Sequence, residues 1–324
     1  MELRLSIIIP FYNVEHYISE CLDSVFDQDI PLSEYEVICV NDGSPDKSRE
    51  IVLDYMKRYP NLRLVEHEKN RKLGTARNTG RAIARGQYIW NVDSDDKIVS
   101  NCLHEMLQTC EENDLDILEF GAIQFNRGNQ RVLPHIPSTN CVMTGLDYME
   151  QLTPFEVSRM CPIWRKMIRL RFLEDEQVFS PEINMGEDIP FSFRALMLAR
   201  RMFVSSSNYY LYRTNDDSLT GTNWIPSANS LYEKCIVNAR LVFEVSKEVP
   251  PSHKKVQHSF LESAKYTLNL FPQFLKGMDK KGQHSFRAMC RKSVFNNWFV
   301  FSLFSKKKAF GYFLWLIGLS GLSQ

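Results

Sequence analysis

No run in this 324-residue chain reaches the ~18 consecutive apolar residues of a membrane-spanning helix, so no such helix is expected. Net charge is absent too. The chain has 39 Lys and Arg against 39 Asp and Glu, which removes the electrostatic argument for a nucleic-acid partner. None of the eight cysteines forms a Cys-x-x-Cys pair, and no histidine stands near one at zinc-finger spacing, so a structural zinc site has no basis. Several cysteines lie on apolar stripes, Cys21 beside Leu22 and Cys102 beside Leu103. They read as buried reduced thiols, which favours a reducing, cytoplasmic compartment. Low-complexity tracts and internal repeats are missing. The N-terminal Met1–Pro10 is too short an apolar run for a signal peptide and reads as a first strand.

What is present is an alternation. Leu5–Pro10, Glu36–Val40, Leu62–Val65, Gln87–Val92 and Leu115–Phe120 are apolar runs of strand length. Between them stand helical spacings: Val14 to Phe26 with Asn13 as a cap, a segment opened by Ser44-Pro45, Leu73 to about Ala84, and Cys102 to Cys110. Strand–helix alternation of this kind predicts an α/β fold with a mostly parallel sheet flanked by helices. Residues 121–160 read as irregular. Beyond about residue 225 the pattern is helical, at Leu231–Val245, Phe260–Leu275 and Phe286–Phe304.

The most informative stretch is Asn91-Val92-Asp93-Ser94-Asp95-Asp96. Three carboxylates crowd four positions where the apolar Tyr88–Trp90 strand ends. Alone it reads as a solvated acidic turn. Together with a hard cation such as Mg²⁺ or Mn²⁺ it reads as a ligand site, since such ions take one or two carboxylates and leave the rest of the shell to substrate phosphates. Polar clusters stand at the ends of other strands as well: Tyr12-Asn13 after the first and Asn41-Asp42-Gly43-Ser44 after the second. Ligands of α/β sheets bind at those carboxyl ends.

Four motifs in order carry a resemblance: Ser6-Ile7-Ile8-Ile9-Pro10-Phe11-Tyr12-Asn13, Val40-Asn41-Asp42-Gly43-Ser44-Pro45-Asp46, Gly74-Thr75-Ala76-Arg77-Asn78-Thr79-Gly80 and Asp93-Ser94-Asp95-Asp96. Together they resemble the signature of family 2 glycosyltransferases, inverting enzymes of the GT-A fold, over roughly residues 4–220. The resemblance implies a nucleotide-sugar donor, with a UDP-sugar as the family expectation. Pro10 and Tyr12 would shape the base pocket. Asp42 would accept a hydrogen bond from the base imide; its plainer role is a turn residue. Arg77 would face the base or the diphosphate, Asp93 the ribose, and Asp95 the Mn²⁺ or Mg²⁺ that bridges the phosphates.

Met185-Gly186-Glu187-Asp188-Ile189-Pro190 resembles the Glu-Asp element of the same family, which makes Asp188 the general base and Glu187 its neighbour. Favouring a helix N-terminus is the competing role for both acids. Cys161–Ile168 looks like the aromatic-basic segment before that element and suggests Trp164 and Lys166 as acceptor-binding residues. Tyr210–Thr220 resembles the closing segment, where Arg213 and Ser218 would contact the diphosphate. Many relatives have a histidine there; Asn215 and two acids replace it, which leaves the third metal ligand open. A dinucleotide-binding enzyme would need Gly-x-Gly-x-x-Gly after the first strand, where Pro-Phe-Tyr-Asn stands instead. The other reading is a non-catalytic sugar-nucleotide-binding protein on the same fold, against which the full set of acids argues.

The expected organisation is a catalytic domain at 1–225, divided into a nucleotide-binding half (1–120) and an acceptor half (121–225), then a helical region at 226–324. Residues 276–308 carry nine Lys and Arg against the single acid Asp279, beside apolar aromatic runs that continue to Leu319. That pattern suits peripheral docking on the anionic inner face of a membrane. Packing against the catalytic domain or a twin subunit is the alternative. A glycan or lipid-linked glycan is the expected acceptor.

Overall fold

A computed structural model describes residues 3–126, 129–134, 137–139, 141–183, 185–214 and 227–292. Ser218 and the tail beyond residue 292 lie outside them. The described strands are β1 (Leu5–Phe11), β2 (Tyr35–Asn41), β3 (Leu62–Glu66), β4 (Tyr88–Asn91), β5 (Lys97–Ile98), β6 (Ile117–Asn126), β7 (Asn129–Val132), β8 (Lys166–Arg169) and β9 (Met202–Arg213). They form one sheet in the order β3-β2-β1-β4-β8-β6-β9-β5, with β7 beside β6.

The sheet is mixed. β3-β2-β1-β4 is parallel throughout, as is β6 with β9, while β8 runs antiparallel to both β4 and β6. Every residue of β1 and β2 is buried, which is why these strands read as continuous apolar runs. Alternate side chains serve the two faces. Leu5, Ile7 and Ile9 meet the helices Ile18–Phe26 and Leu103–Glu112, while Ile8 and Ile89 face the core of the later helices.

The segment expected to be irregular is built. β6 runs on to Asn126, and the helices Gly145–Gln151 and Pro154–Arg159 follow. The second opens with a capping box, Thr153 and Glu156 bonding each other's backbone. Two expected caps shift. Asn13 lies at φ 56, and its helix begins at Ile18. The Ser44-Pro45 helix begins at Ser48, where Asp46 Oδ1 accepts from the Ser48 N–H at 3.1 Å.

After residue 226 come the helix Ala228–Tyr232, a π-helical turn Glu233–Val237, and helices Asn238–Glu248, Lys254–Gly277 and Lys280–Lys292. They share one apolar core with the preceding residues: Leu231, Cys235, Val242 and Phe260 pack with Phe193, Leu196 and Ile168. The Phe193 and Phe260 rings stack at 4.2 Å. Among the described residues no helix is long and apolar enough to cross a membrane. Seven cysteines are buried and Cys141 is exposed, and none of them is in a disulfide.

Candidate active site

The order β3-β2-β1-β4 brings four parallel carboxyl ends side by side. His67 follows β3, Asp42 follows β2, Tyr12 follows β1, and Asp93 stands two residues past β4. Pro10 is buried within β1, and Tyr12 is 47% exposed at its mouth. The loops after β1 and β2 are laced together. Asn13 N–H donates to Ser44 Oγ (2.7 Å), Val14 N–H to Ser48 Oγ (3.1 Å) and Glu15 N–H to Asp46 Oδ2 (2.8 Å). Lys47 N–H returns to Glu15 Oε2 at 3.0 Å. The rim is therefore a framework and not two independent loops.

The three acids have three different surroundings. Asp96 is 1% exposed and accepts from the Tyr210 hydroxyl (2.8 Å) and the Arg213 N–H (2.6 Å). Asp93 Oδ1 accepts from Arg77 at 2.8 Å, and the Asp93 N–H donates to Tyr210 Oη. Asp95 is partly buried, and no other described residue donates to its carboxylate. Burial first, and then the charge of Asp93, pushes the Asp95 carboxyl up to about 6. A carboxylate with free lone pairs between two like charges is a suitable donor for a hard divalent cation. No cluster of three or more ligating side chains stands ready among the described residues. A cation at Asp95 would thus draw its other oxygens from phosphates and water, as Mg²⁺ usually does.

Arg77 joins this turn to the Glu-Asp element. It is 4% exposed; one terminal nitrogen donates to Asp93 and the other to Glu187. Burial works against its charge, and the two carboxylates hold it ionised. Each terminal nitrogen of Arg77, expected to face the base or the diphosphate, meets a protein carboxylate, while its buried Nε has no partner among the described residues. Glu187, 4% exposed, precedes the helix Asp188–Leu198, and Asp188 is its first residue. Burial raises both carboxyls and Arg77 pulls them back, with Asp93 adding to the rise of Asp188. The turn that presents them needs Gly186 at φ +77, because an added Cβ would meet Asn238 Nδ2 at 1.9 Å. Asn238 Nδ2 donates to Gly186 O at 2.8 Å. A residue of the C-terminal helices therefore braces the acidic pair.

Arg213 lies beside the acidic turn. Its Nε donates to Asp95 O (2.7 Å), its Nη2 pairs with Glu20 (3.0 Å), and its guanidinium lies over the rings of Tyr17 and Phe125. These contacts tie Arg213 to the acidic turn. The two residues expected to bind the acceptor are both buried. Lys166 is 0% exposed, pairs with the equally buried Glu119 at 3.0 Å, and donates to the carbonyls of Met160 and Pro162. Trp164 is 8% exposed, stacked on Tyr210 and Tyr212 at ring distances of 4.4 and 5.6 Å. A buried ammonium survives only with partners, and here an ion pair and two carbonyls hold Lys166 in the scaffold. Tyr210, His67, Glu119 and Asn238 were not singled out from the sequence. Each acts on a residue at least 25 positions away, and only a paired strand or a packed helix brings them together.

The model of glycosyl transferase family 2 matches residues 6–174. The chain is similar to an uncharacterized glycosyltransferase, EpsJ, of Bacillus subtilis, with 37% identity over 71% of this chain and 67% of EpsJ. It is also similar to a poly(ribitol-phosphate) beta-glucosyltransferase of Bacillus spizizenii, with 32% identity over 70% of this chain but only 35% of that protein. Among solved structures, Staphylococcus aureus TarS 1–349 in complex with UDP-GlcNAc aligns at TM-score 0.69 and 25% identity, over 90% of this chain and 80% of that one.

Proposed function

We propose, for a chain that belongs to glycosyl transferase family 2 and has the GT-A fold, that it moves a sugar with inversion from a UDP-sugar to a hydroxyl of a glycan or lipid-linked glycan in cell-surface polymer synthesis. The chain is a glycosyltransferase by family. The observation that carries the finer reading is the single buried guanidinium of Arg77, which ties the acidic turn after β4 to Glu187 beside Asp188. Donor-side and acceptor-side acids are thus parts of one site.

In this reading Tyr12 and Asp42 hold the base and Asp93 the ribose. Asp95 would hold Mn²⁺ or Mg²⁺, which when bound supplies positive charge to the departing diphosphate. The acceptor oxygen attacks the anomeric carbon as the bond to the β-phosphate oxygen breaks, and its proton passes to the Asp188 carboxylate. Burial suits Asp188 to that role, because a carboxyl raised toward neutrality is a better base than one at its usual value. Arg77 holds Asp93 and Glu187 in place. Lys166 and Glu119 support the segment leading to Trp164. The apolar and lysine-rich stretch beyond residue 292, outside the described residues, is the part assigned to docking on an anionic membrane, which would bring a lipid-linked acceptor to the site.

The test is a donor panel of UDP-glucose, UDP-galactose, their N-acetyl forms and GDP-mannose, scored by nucleotide release with Mn²⁺ present. Turnover of one UDP-sugar, lost in Asp188→Asn, is expected. Binding without turnover of any donor would replace the enzyme reading with a sugar-nucleotide-binding one.

A further inference from the structure

We propose that His67 is a specificity-determining positioning residue. It holds Asp42 as a one-sided hydrogen-bond acceptor, and so commits the base pocket to a pyrimidine that presents an N–H, uracil rather than cytosine. The proposal rests on the reading of Asp42 as the base-binding residue.

His67 stands one residue past β3 and is 9% exposed. Its N–H donates to Asn41 O at 2.9 Å, which pins it to the end of β2. Nδ1 lies 2.7 Å from Asp42 Oδ1, and Nε2 lies 3.0 Å from Thr79 Oγ1 on the helix Leu73–Ala82. A carboxylate only accepts, so Nδ1 is the nitrogen that carries the hydrogen. In the neutral ring Nε2 then accepts from the Thr79 hydroxyl. The Arg71 N–H donates to the same Asp42 Oδ1 at 2.8 Å. This second donor is brought in by a close approach: Gly43 sits at φ +72, and an added Cβ would lie 2.9 Å from the backbone of Lys69 and Asn70.

Both donors fall on Oδ1. No described residue donates to Oδ2, in a side chain that is 5% exposed. Asp42 is therefore fixed in rotamer and in role, with one oxygen satisfied by protein and the other left for a ligand N–H. Uracil N3 carries a hydrogen and cytosine N3 does not. Cytosine would set a lone pair against a buried carboxylate oxygen, and sites built to receive a donor reject an analogue that lacks it by large factors.

The experiment is calorimetric titration of the full chain with UDP and with CDP, Mn²⁺ present in every arm. Wild type is expected to prefer UDP by about 30-fold, the middle of the roughly 5- to 150-fold that one buried unpaired polar group supports. His67→Phe removes the Nδ1 donor and is expected to weaken UDP about tenfold and shrink the ratio below about fivefold. His67→Asn, whose Nδ2 sits where Nδ1 was, is expected to restore most of the ratio. General loosening of the fold would not be rescued in this way. Should His67→Phe not fold, Thr79→Val reads the same relay, with an expected two- to threefold narrowing. A folded His67→Phe that keeps the wild-type ratio overturns the proposal, as does an unchanged ratio in Thr79→Val where His67→Phe cannot be measured. Asp42→Ala separates the two levels. If it binds UDP as wild type does, the base-pocket reading falls as well; if it loses UDP while His67→Phe does not, only the role of His67 falls.

Discussion

Arg77→Met removes one buried charge and keeps the length of the side chain, and its effects on rate and on stability should run in opposite directions with pH. Arg77 is the main influence that lowers the Glu187 and Asp188 carboxyls against burial. An opposite charge within hydrogen-bond reach is worth roughly one to three pH units to a carboxylate. Without it Asp188 rises further. The base is active only when deprotonated, so the acid limb of the rate profile should move up by about one to two units, with loss at neutral pH and partial recovery in alkali. Stability responds the other way. Glu187 has a folded-state value above its unfolded one, so its contribution is intact below the unfolded value and is lost as pH rises through the folded one. The variant should be least impaired in acid and worst in alkali. Breaking a buried pair costs about 3–5 kcal/mol, less whatever protonation of Glu187 relieves, which at ~2–3 °C per kcal/mol lowers the melting temperature by roughly 6–15 °C. Nucleotide release from a UDP-sugar and thermal melts in the same buffers, across roughly pH 5 to 9, read both effects. A uniform loss of rate with an unmoved acid limb, or a stability loss independent of pH, would refute the assignment of Arg77 as the link.

Asp95→Ala should abolish transfer and weaken UDP binding only where Mn²⁺ or Mg²⁺ is present; a wild-type UDP affinity indifferent to metal would remove the cation from Asp95. Asp188→Asn should lower the chemical rate by at least ~10² with UDP affinity nearly unchanged, as loss of a general base does, and Glu187→Gln should be milder. The reverse ranking in single-turnover assays would exchange their roles. Removal of residues 296–324 should eliminate flotation with anionic vesicles and leave donor hydrolysis in place. Wild-type protein that does not float even at low salt would end the membrane assignment.

The parts of the site legible in the sequence are those whose meaning is local. A carboxylate just past a strand, as at Asp42 or Asp93, is placed at the sheet's edge by the strand itself. Asp188 is placed by the helix it opens. What stayed hidden is pairing across distance. Tyr210 reaches Asp96 across 114 positions because β9 passes beside β5, a two-residue strand too short to announce itself. Lys166 looked like an acceptor ligand because a lysine beside tryptophan suits a sugar. Nothing near it in sequence reveals that Glu119 waits on the neighbouring strand β6. The protein partners of Arg77 and Arg213 are hidden in the same way. The buried guanidinium of Arg77 meets Asp93 and Glu187, and the partly exposed one of Arg213 meets Asp95 O and Glu20. The consequence is chemical as well as structural. With both arginines committed to holding acids in position, Asp95 is the acid of the turn left with an open carboxylate. That open carboxylate is the reason the proposed cation is assigned to Asp95.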